Sequence, residues 1–278
     1  MCGIAGFLEL ERRSGTHELE ALAGAMAATL RHRGPDASGV WADAEAGIAF
    51  GHTRLSIVDL SPDGAQPMVS SCGRYVIVYN GEIFNAAELR PELEAKGRRF
   101  RGHSDTEVIV EAFAEWGVEA TAKRIIGMFA IAAYDRREKR LSLVRDRLGI
   151  KPLYWGEVGT RLAFASELEA FAVLPGWNKE LNRDALASYF RFAYVPAPHS
   201  IYRGISKLMP GHIATIDHTG ETRIEPFWML AEAAERGKAN QLDVGDKQAC
   251  DMLEALLGDA VGRRLVADVP LGAFLSGG

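Results

Sequence analysis

The sequence begins Met1-Cys2-Gly3-Ile4-Ala5-Gly6-Phe7, and this opening constrains the rest of the chain. Termini are usually disordered unless they are tied into a sheet, and the apolar run Ile4, Ala5, Phe7 and Leu8 reads as a buried strand. Cysteine is small, so the methionine ahead of it can be removed, leaving Cys2 with a thiol and a free α-amine. The amine has a pKa of roughly 7.7–8, and an N-terminal nucleophile activated by its own amine is an established catalytic device. Gly3 and Gly6 bracket the run, and a glycine beside the nucleophile lets backbone or substrate approach closely. The competing reading is an ordinary cysteine at a frayed end. With Met1 attached, the Cys2 nitrogen is an amide, and that species is expected to be inactive.

The remaining composition narrows the class. At 278 residues the chain can bury a sizeable core and hold more than one domain. Its 25% charged residues and net charge of −5 point to neither nucleic acid nor an anionic membrane as a partner. No apolar run reaches the length of a membrane span, and the N-terminus lacks the pattern of a secretory signal. Cys2, Cys72 and Cys250 are far apart and odd in number, which fits a reducing cytoplasm and neither a disulfide framework nor a metal site.

Pattern along the chain predicts helices over Thr16 to Leu30, Asn85 to Lys96 with Asn85 as N-cap, and Asn182 to about Phe192. Strands are expected at Ile48 to Phe50, Leu55 to Val58 and Arg74 to Tyr79. Hairpins are expected at Met128 to Tyr134 with Leu141 to Val144, Leu153 to Trp155 with Leu162 to Ala165, and Ile213 to Ile216 with Thr222 to Phe227. Ser166-Glu167 would start a short helix. Asn80-Gly81 after a strand is a hairpin-turn signal; the same tight turn would aim the Asn80 amide and the Gly81 N–H at one point, as an oxyanion hole requires. Ser104-Asp105-Thr106-Glu107 is a capping box, with Asp105 a favourable acid in a first helical turn. Arg54 reads either as a surface arginine or as a guanidinium fork for a carboxylate. Arg31-His32-Arg33-Gly34-Pro35-Asp36 reads as a charged loop ending a helix. Asp246 to Arg264 is an amphipathic helix.

Taken together, these motifs resemble the class II glutamine amidotransferases, and within them the asparagine synthetase branch. The resemblance rests on the Cys2 opening, Arg31–Asp36, Gly51–Asp59, Gly64–Met68, Asn80-Gly81-Glu82, Ser104–Glu107, Arg145–Tyr154, Phe164–Glu167 and Pro210-Gly211-His212. It implies that Cys2 hydrolyses glutamine to glutamate and ammonia, with Asn80 and Gly81 as the oxyanion hole. Arg54 would hold the substrate carboxylate and Asp105 its α-ammonium, with Leu55, Ile57, Val58 and Glu82 completing the glutamine site. Arg31, His32, Arg33, Gly34, Pro35 and Asp36 would form a loop closing over it. The Arg145–Tyr154 segment is read as structural rather than catalytic. No cofactor is implied for this half.

The C-terminal Leu275-Ser276-Gly277-Gly278, after an expected strand at Ala273 to Leu275, is similar to the start of an ATP-pyrophosphatase loop, where glycines let backbone N–H groups cradle a phosphate. The full-length family would then use Mg-ATP and aspartate, with ammonia as nucleophile, and the present chain reads as a fragment of it. A homodimer stays open. The expected fold is α+β: an N-terminal-nucleophile hydrolase four-layer αββα sandwich of antiparallel sheets, followed by the first helix and strand of a truncated α/β ATP-pyrophosphatase domain. The expected divisions are residues 1–218, a connecting segment 219–245, and 246–278. Three rival readings accompany it: a related synthetase acting on another carboxylate acceptor, a hydrolase of another amide, and a non-catalytic scaffold.

Overall fold

The computed structural model describes residues 1–273; the expected strand end and the ATP-loop residues Leu275, Ser276, Gly277 and Gly278 lie outside them. In order, the elements are β1 (Gly3–Glu9), α1 (Thr16–Thr29), β2 (Ala37–Asp43), β3 (Ile48–Arg54), β4 (Met68–Val69), β5 (Tyr75–Ile83), α2 (Ala86–Ala95), α3 (Asp105–Trp116) and α4 (Val118–Arg124). There follow β6 (Gly127–Asp135), β7 (Arg140–Arg145), β8 (Tyr154–Val158), β9 (Arg161–Ala165), a 3₁₀ turn (Leu168–Val173), α5 (Arg183–Phe192), β10 (Ile205–Lys207), β11 (His212–Ile216), β12 (Thr222–Pro226), α6 (Leu230–Ala239) and α7 (Asp246–Arg263).

The strands form two six-stranded sheets, ordered β10-β8-β9-β1-β3-β2 and β12-β11-β7-β6-β5-β4. Every neighbouring pair is antiparallel. Strand periodicity sorts their side chains into three cores. Ile4, Leu8, Phe50, Val76, Val78, Ala130, Leu143 and Phe164 fill the space between the sheets. Ala5, Phe7 and Ala49 face outward onto Leu19, Ala23 and Met26 of α1. Ile77, Tyr79 and Ile131 face the other way, onto Ile109 and Phe113 of α3. The order of layers is therefore α-β-β-α. Each fully buried Phe or Leu contributes roughly 1.5–3 kcal/mol of transfer free energy.

Several local expectations are corrected. Leu55 to Val58 is no strand; β3 ends at Arg54 and the chain leaves the sheet as an irregular loop. Asn80-Gly81 is no turn, because β5 runs through it and pairs Asn80 with Ala130 and Gly81 with Phe129. The tertiary ladder overrides the local turn preference. Asn85 precedes α2 but does not cap it with its side chain; its amide instead donates to Arg124 O and accepts from Ile126 N–H. The short helix starts at Leu168, with Glu167 still extended. Beyond the expected boundary at 218, β12 pairs with β11 and carries the sheet on to Pro226. Asn182 does cap α5, accepting from Asp184 and Ala185 N–H. The charged Arg145–Lys151 run is satisfied by backbone: Arg145 donates to Lys151, Leu208 and Gly149 carbonyls, and the Asp146 carboxylate accepts from Phe129, Ile150 and Lys151 N–H.

Candidate active site

One parity rule places most of the site. In β1 the even residues Ile4 and Leu8 face the space between the sheets; in β3 Ile48 and Phe50 do, and in β5 Val76 and Val78 do. Continued by two residues in β1 and β5, and by four in β3 past His52, the same alternation turns Cys2, Asn80 and Arg54 toward the same inter-sheet opening. A cavity of ≈ 270 Å³ lies there, lined by Cys2, Arg54, Asn80, Gly81, Glu82 and Asp105 among others. That is just below the roughly 300–1,000 Å³ of drug-sized ligand sites, which suits a molecule the size of an amino acid.

Cys2 is fixed from several sides. Its Sγ accepts from Leu55 N–H at 3.4 Å and donates to Leu55 O at 3.6 Å. Burial pushes the thiol pKa up, and the Leu55 hydrogen bond and Arg54 oppose that shift. The Cys2 carbonyl accepts from Arg33 Nε at 3.0 Å, and Arg33 Nη1 pairs with Glu167 at 2.5 Å. A Cβ on Gly3 would lie 2.6 Å from Thr53 Oγ1 and 2.8 Å from Leu30 Cβ, so that glycine admits the neighbouring elements of the protein itself.

Arg54 is buried, and its guanidinium donates to Ser61 O at 3.0 Å and to Asp59 O. Asp105 opens α3; its carboxylate accepts from Tyr79 Oη at 2.7 Å and Ile83 N–H at 2.9 Å. Burial raises its pKa, and those two donors hold the rise in check. Asn80 is 1% exposed and its Nδ2 has no hydrogen-bond partner. A buried amide donor left unpaired is costly, and this one sits on the wall of the cavity. Leu55, Ile57 and Val58 also line it. Glu82 does too, its carboxyl pKa raised by burial and by Asp105.

The six residues Arg31 to Asp36 do not line the cavity. They stand behind it: Arg33 and His32 bind Glu167, Gly34 packs against Thr53 so closely that a Cβ would lie 2.5 Å from its carbonyl, and Asp36 accepts from Ser56 N–H at 2.8 Å.

Two other lining residues, Gln66 and Lys151, lie in segments that carry the resemblance, which gives them no role in the site. Gln66 accepts from Tyr79 N–H at 2.6 Å and donates to Thr106 Oγ1 at 3.2 Å. Lys151, expected to be structural, is 5% exposed, and its Nζ donates to the Met1 sulfur at 3.2 Å, with no carboxylate in ion-pair range among the described residues. Burial and Arg33 lower its pKa. The Met1 amine is likewise lowered, by burial first and then by Arg33 and Lys151, with Cys2 and Asp36 opposing. Among the described residues no cluster of three or more His, Cys, Asp or Glu side chains could hold a metal. A larger, more open cleft of ≈ 600 Å³ lies at the opposite end of the sandwich, between Asp43, Arg74, Arg136 and Lys139, with Ala46, Cys72 and Tyr134 also lining it.

The glutamine amidotransferase domain family matches residues 1–228, and the asparagine synthase family matches residues 252–278. Among curated proteins, "Asparagine synthetase [glutamine-hydrolyzing] 3" and "1" of Bacillus subtilis are 35% and 36% identical across all of this chain, which covers 44% and 42% of them. "Amidase chry2" of Gibberella zeae is 32% identical, with 41% of its length covered. The chain thus spans under half the length of these relatives. Among solved structures, the glutamine phosphoribosylpyrophosphate amidotransferase of Bacillus subtilis superposes with a TM-score of 0.60 at 20% identity, over 82% of this chain and 50% of that one.

Proposed function

Because the chain belongs to the glutamine amidotransferase domain family, we propose that it hydrolyses the side-chain amide of glutamine to glutamate and ammonia, with Cys2 as nucleophile once Met1 is gone. The freed α-amine of Cys2 takes the thiol proton, directly or through a water. The thiolate attacks the amide carbon. The carbonyl oxygen becomes an oxyanion that accepts from Asn80 Nδ2 and the Gly81 N–H. The amine then returns its proton to the leaving nitrogen, ammonia departs, and water hydrolyses the thioester. Arg54 pairs with the substrate carboxylate and Asp105 with its α-ammonium. Arg33 and Lys151 supply positive charge beside the terminus, which favours a neutral amine and an ionised thiol.

The observation that carries this reading is the buried, partnerless Asn80 amide on the wall of the cavity that holds Cys2. A donor left unpaired in the resting protein is available for charge that appears only during reaction; loss of one such donor typically costs about 3–4 kcal/mol of barrier. In a protein of the relatives' length, ammonia would amidate an aspartate activated by Mg-ATP, which accords with relatives named for making asparagine and hydrolysing glutamine. A site of action in the cytoplasm accords with three free cysteines and, among the described residues, with no helix long and apolar enough to cross a membrane.

The test is glutamate and ammonia release by protein whose processed N-terminus is verified by mass spectrometry. Turnover is expected to vanish in Cys2→Ala and to fall about 100-fold or more in Asn80→Ala. Processed wild-type protein that releases neither product would overturn the assignment.

A further inference from the structure

The segment that follows α7 returns to the wall of the cavity. Asp268 N–H donates to Ile57 O at 2.9 Å. The Asp268 carboxylate accepts from Asp59 N–H at 2.7 Å and meets His103 Nε2 at 2.7 Å. Asp59 is fully buried and answers with its own carboxylate, which accepts from His103 N–H at 2.8 Å and from Ser61 Oγ at 2.5 Å. Asp59 also has a φ of +56°, a conformation that side-chain-bearing residues adopt uncommonly. Its carbonyl and that of Ser61 are the two acceptors that hold the Arg54 guanidinium. A continuous line of hydrogen bonds therefore runs from Asp268 through Asp59 to Arg54.

We propose that Asp268 and His103 are positioning residues for glutamine: they clamp the loop Ile57–Ser61 and through it aim Arg54 at the substrate carboxylate. The proposal rests on the reading of Arg54 given above. It adds that the grip of the glutamine site depends on residue 268, inside the segment matched by the asparagine synthase family. Glutamine binding and the placement of that segment are then coupled, and each must favour the other. The charged groups around the His103 ring are Asp268 and Asp59, with Arg90 from α2 opposing; the Asp268 hydrogen bond, ahead of the other contributions, holds the imidazole pKa above its ordinary value. An imidazolium between two carboxylates makes charge-assisted contacts, which are the stronger kind.

The experiment compares processed wild type with Asp268→Ala, His103→Ala and Asp268→Asn. Two readouts are taken: steady-state glutaminase kinetics, and hydrogen–deuterium exchange across residues 57–64. Loss of the clamp is expected to raise KM for glutamine about fivefold or more, with kcat within twofold, and to speed exchange in that loop. Asp268→Asn keeps an acceptor for Asp59 N–H and is expected to recover part of the KM. A purely structural role would lower the melting temperature and kcat while leaving KM alone. Unchanged KM and unchanged loop exchange in both alanine variants overturn the clamp. If wild type itself releases no glutamate, the amidotransferase reading fails, and the exchange measurement still decides whether Asp268 holds the loop.

Discussion

His52 lies on β3 between the sheets, with Nε2 3.2 Å from Tyr79 O and no partner for Nδ1. Burial drives its pKa down to about 4. The unfolded chain takes up a proton at this residue near pH 6.5, and the folded protein only near pH 4. Its contribution to stability is therefore intact above pH 6.5 and is lost as the pH falls toward 4. The linkage is worth about 2–3 kcal/mol at pH 4.5. Denaturant unfolding at pH 7 and pH 4.5 is expected to show wild type losing that much more stability than His52→Gln; equal losses would refute it. At this scale the sequence spoke clearly where a residue type has few reasons to be where it is. Cys2 and Arg54 stood out in the sequence, and the structure brings both to one cavity. Lys151 and Gln66 did not stand out, because what makes them part of the site is distance: Lys151 is brought beside residue 1 from 150 positions away.

Among elements, β1 depends on glycine where it threads the middle of its sheet. Gly6 is opposite Phe50 on one side and Phe164 on the other. A Cβ there would lie 2.5 Å from Ala49 O and 2.6 Å from Phe164 Cζ, and Phe164 is itself locked edge-on against Phe50, with ring centroids 5.6 Å apart. Gly6→Ala is expected to destabilise the fold by about 1–3 kcal/mol, read as a lower denaturant midpoint at unchanged m-value. The hairpins β6–β7, β8–β9 and β11–β12 could be read from alternation because each contact is local. Leu55 to Val58 and Asn80-Gly81 could not. Both have a local preference, for strand and for turn, that partners far along the chain overrule: Cys2 captures the Leu55 N–H, and β6 captures β5.

For the whole molecule, the antiparallel pattern gave α+β and the family resemblance implied the four layers, whereas the placement of α7 rests on contacts with α2 and the loops. Arg263 pairs with Glu88 at 2.5 Å, and Arg264 lies over the Phe84 ring. The apolar stripe of α7 remains uncovered: Leu253, Leu256, Leu257 and Val261 are 56% to 67% exposed. A side chain with nothing packed on it contributes little to folding, so Leu257→Glu is expected to change stability by less than about 0.5 kcal/mol and the melting temperature by under about 2 °C. A larger drop would mean that this stripe is covered in solution.

The strand that begins directly after Cys2 is hydrogen-bonded on both flanks, to β3 and to β9, and Arg33 grips the carbonyl of residue 2. In most proteins the first residues are the loosest and the easiest to decorate; here they are seated in the middle of the fabric. An affinity tag or fusion partner joined ahead of residue 2 would emerge beside the cavity as an acyl cap on the Cys2 nitrogen, whereas handles for purification, labelling or immobilisation fit on surfaces remote from it, such as the cleft by Arg136 and Lys139.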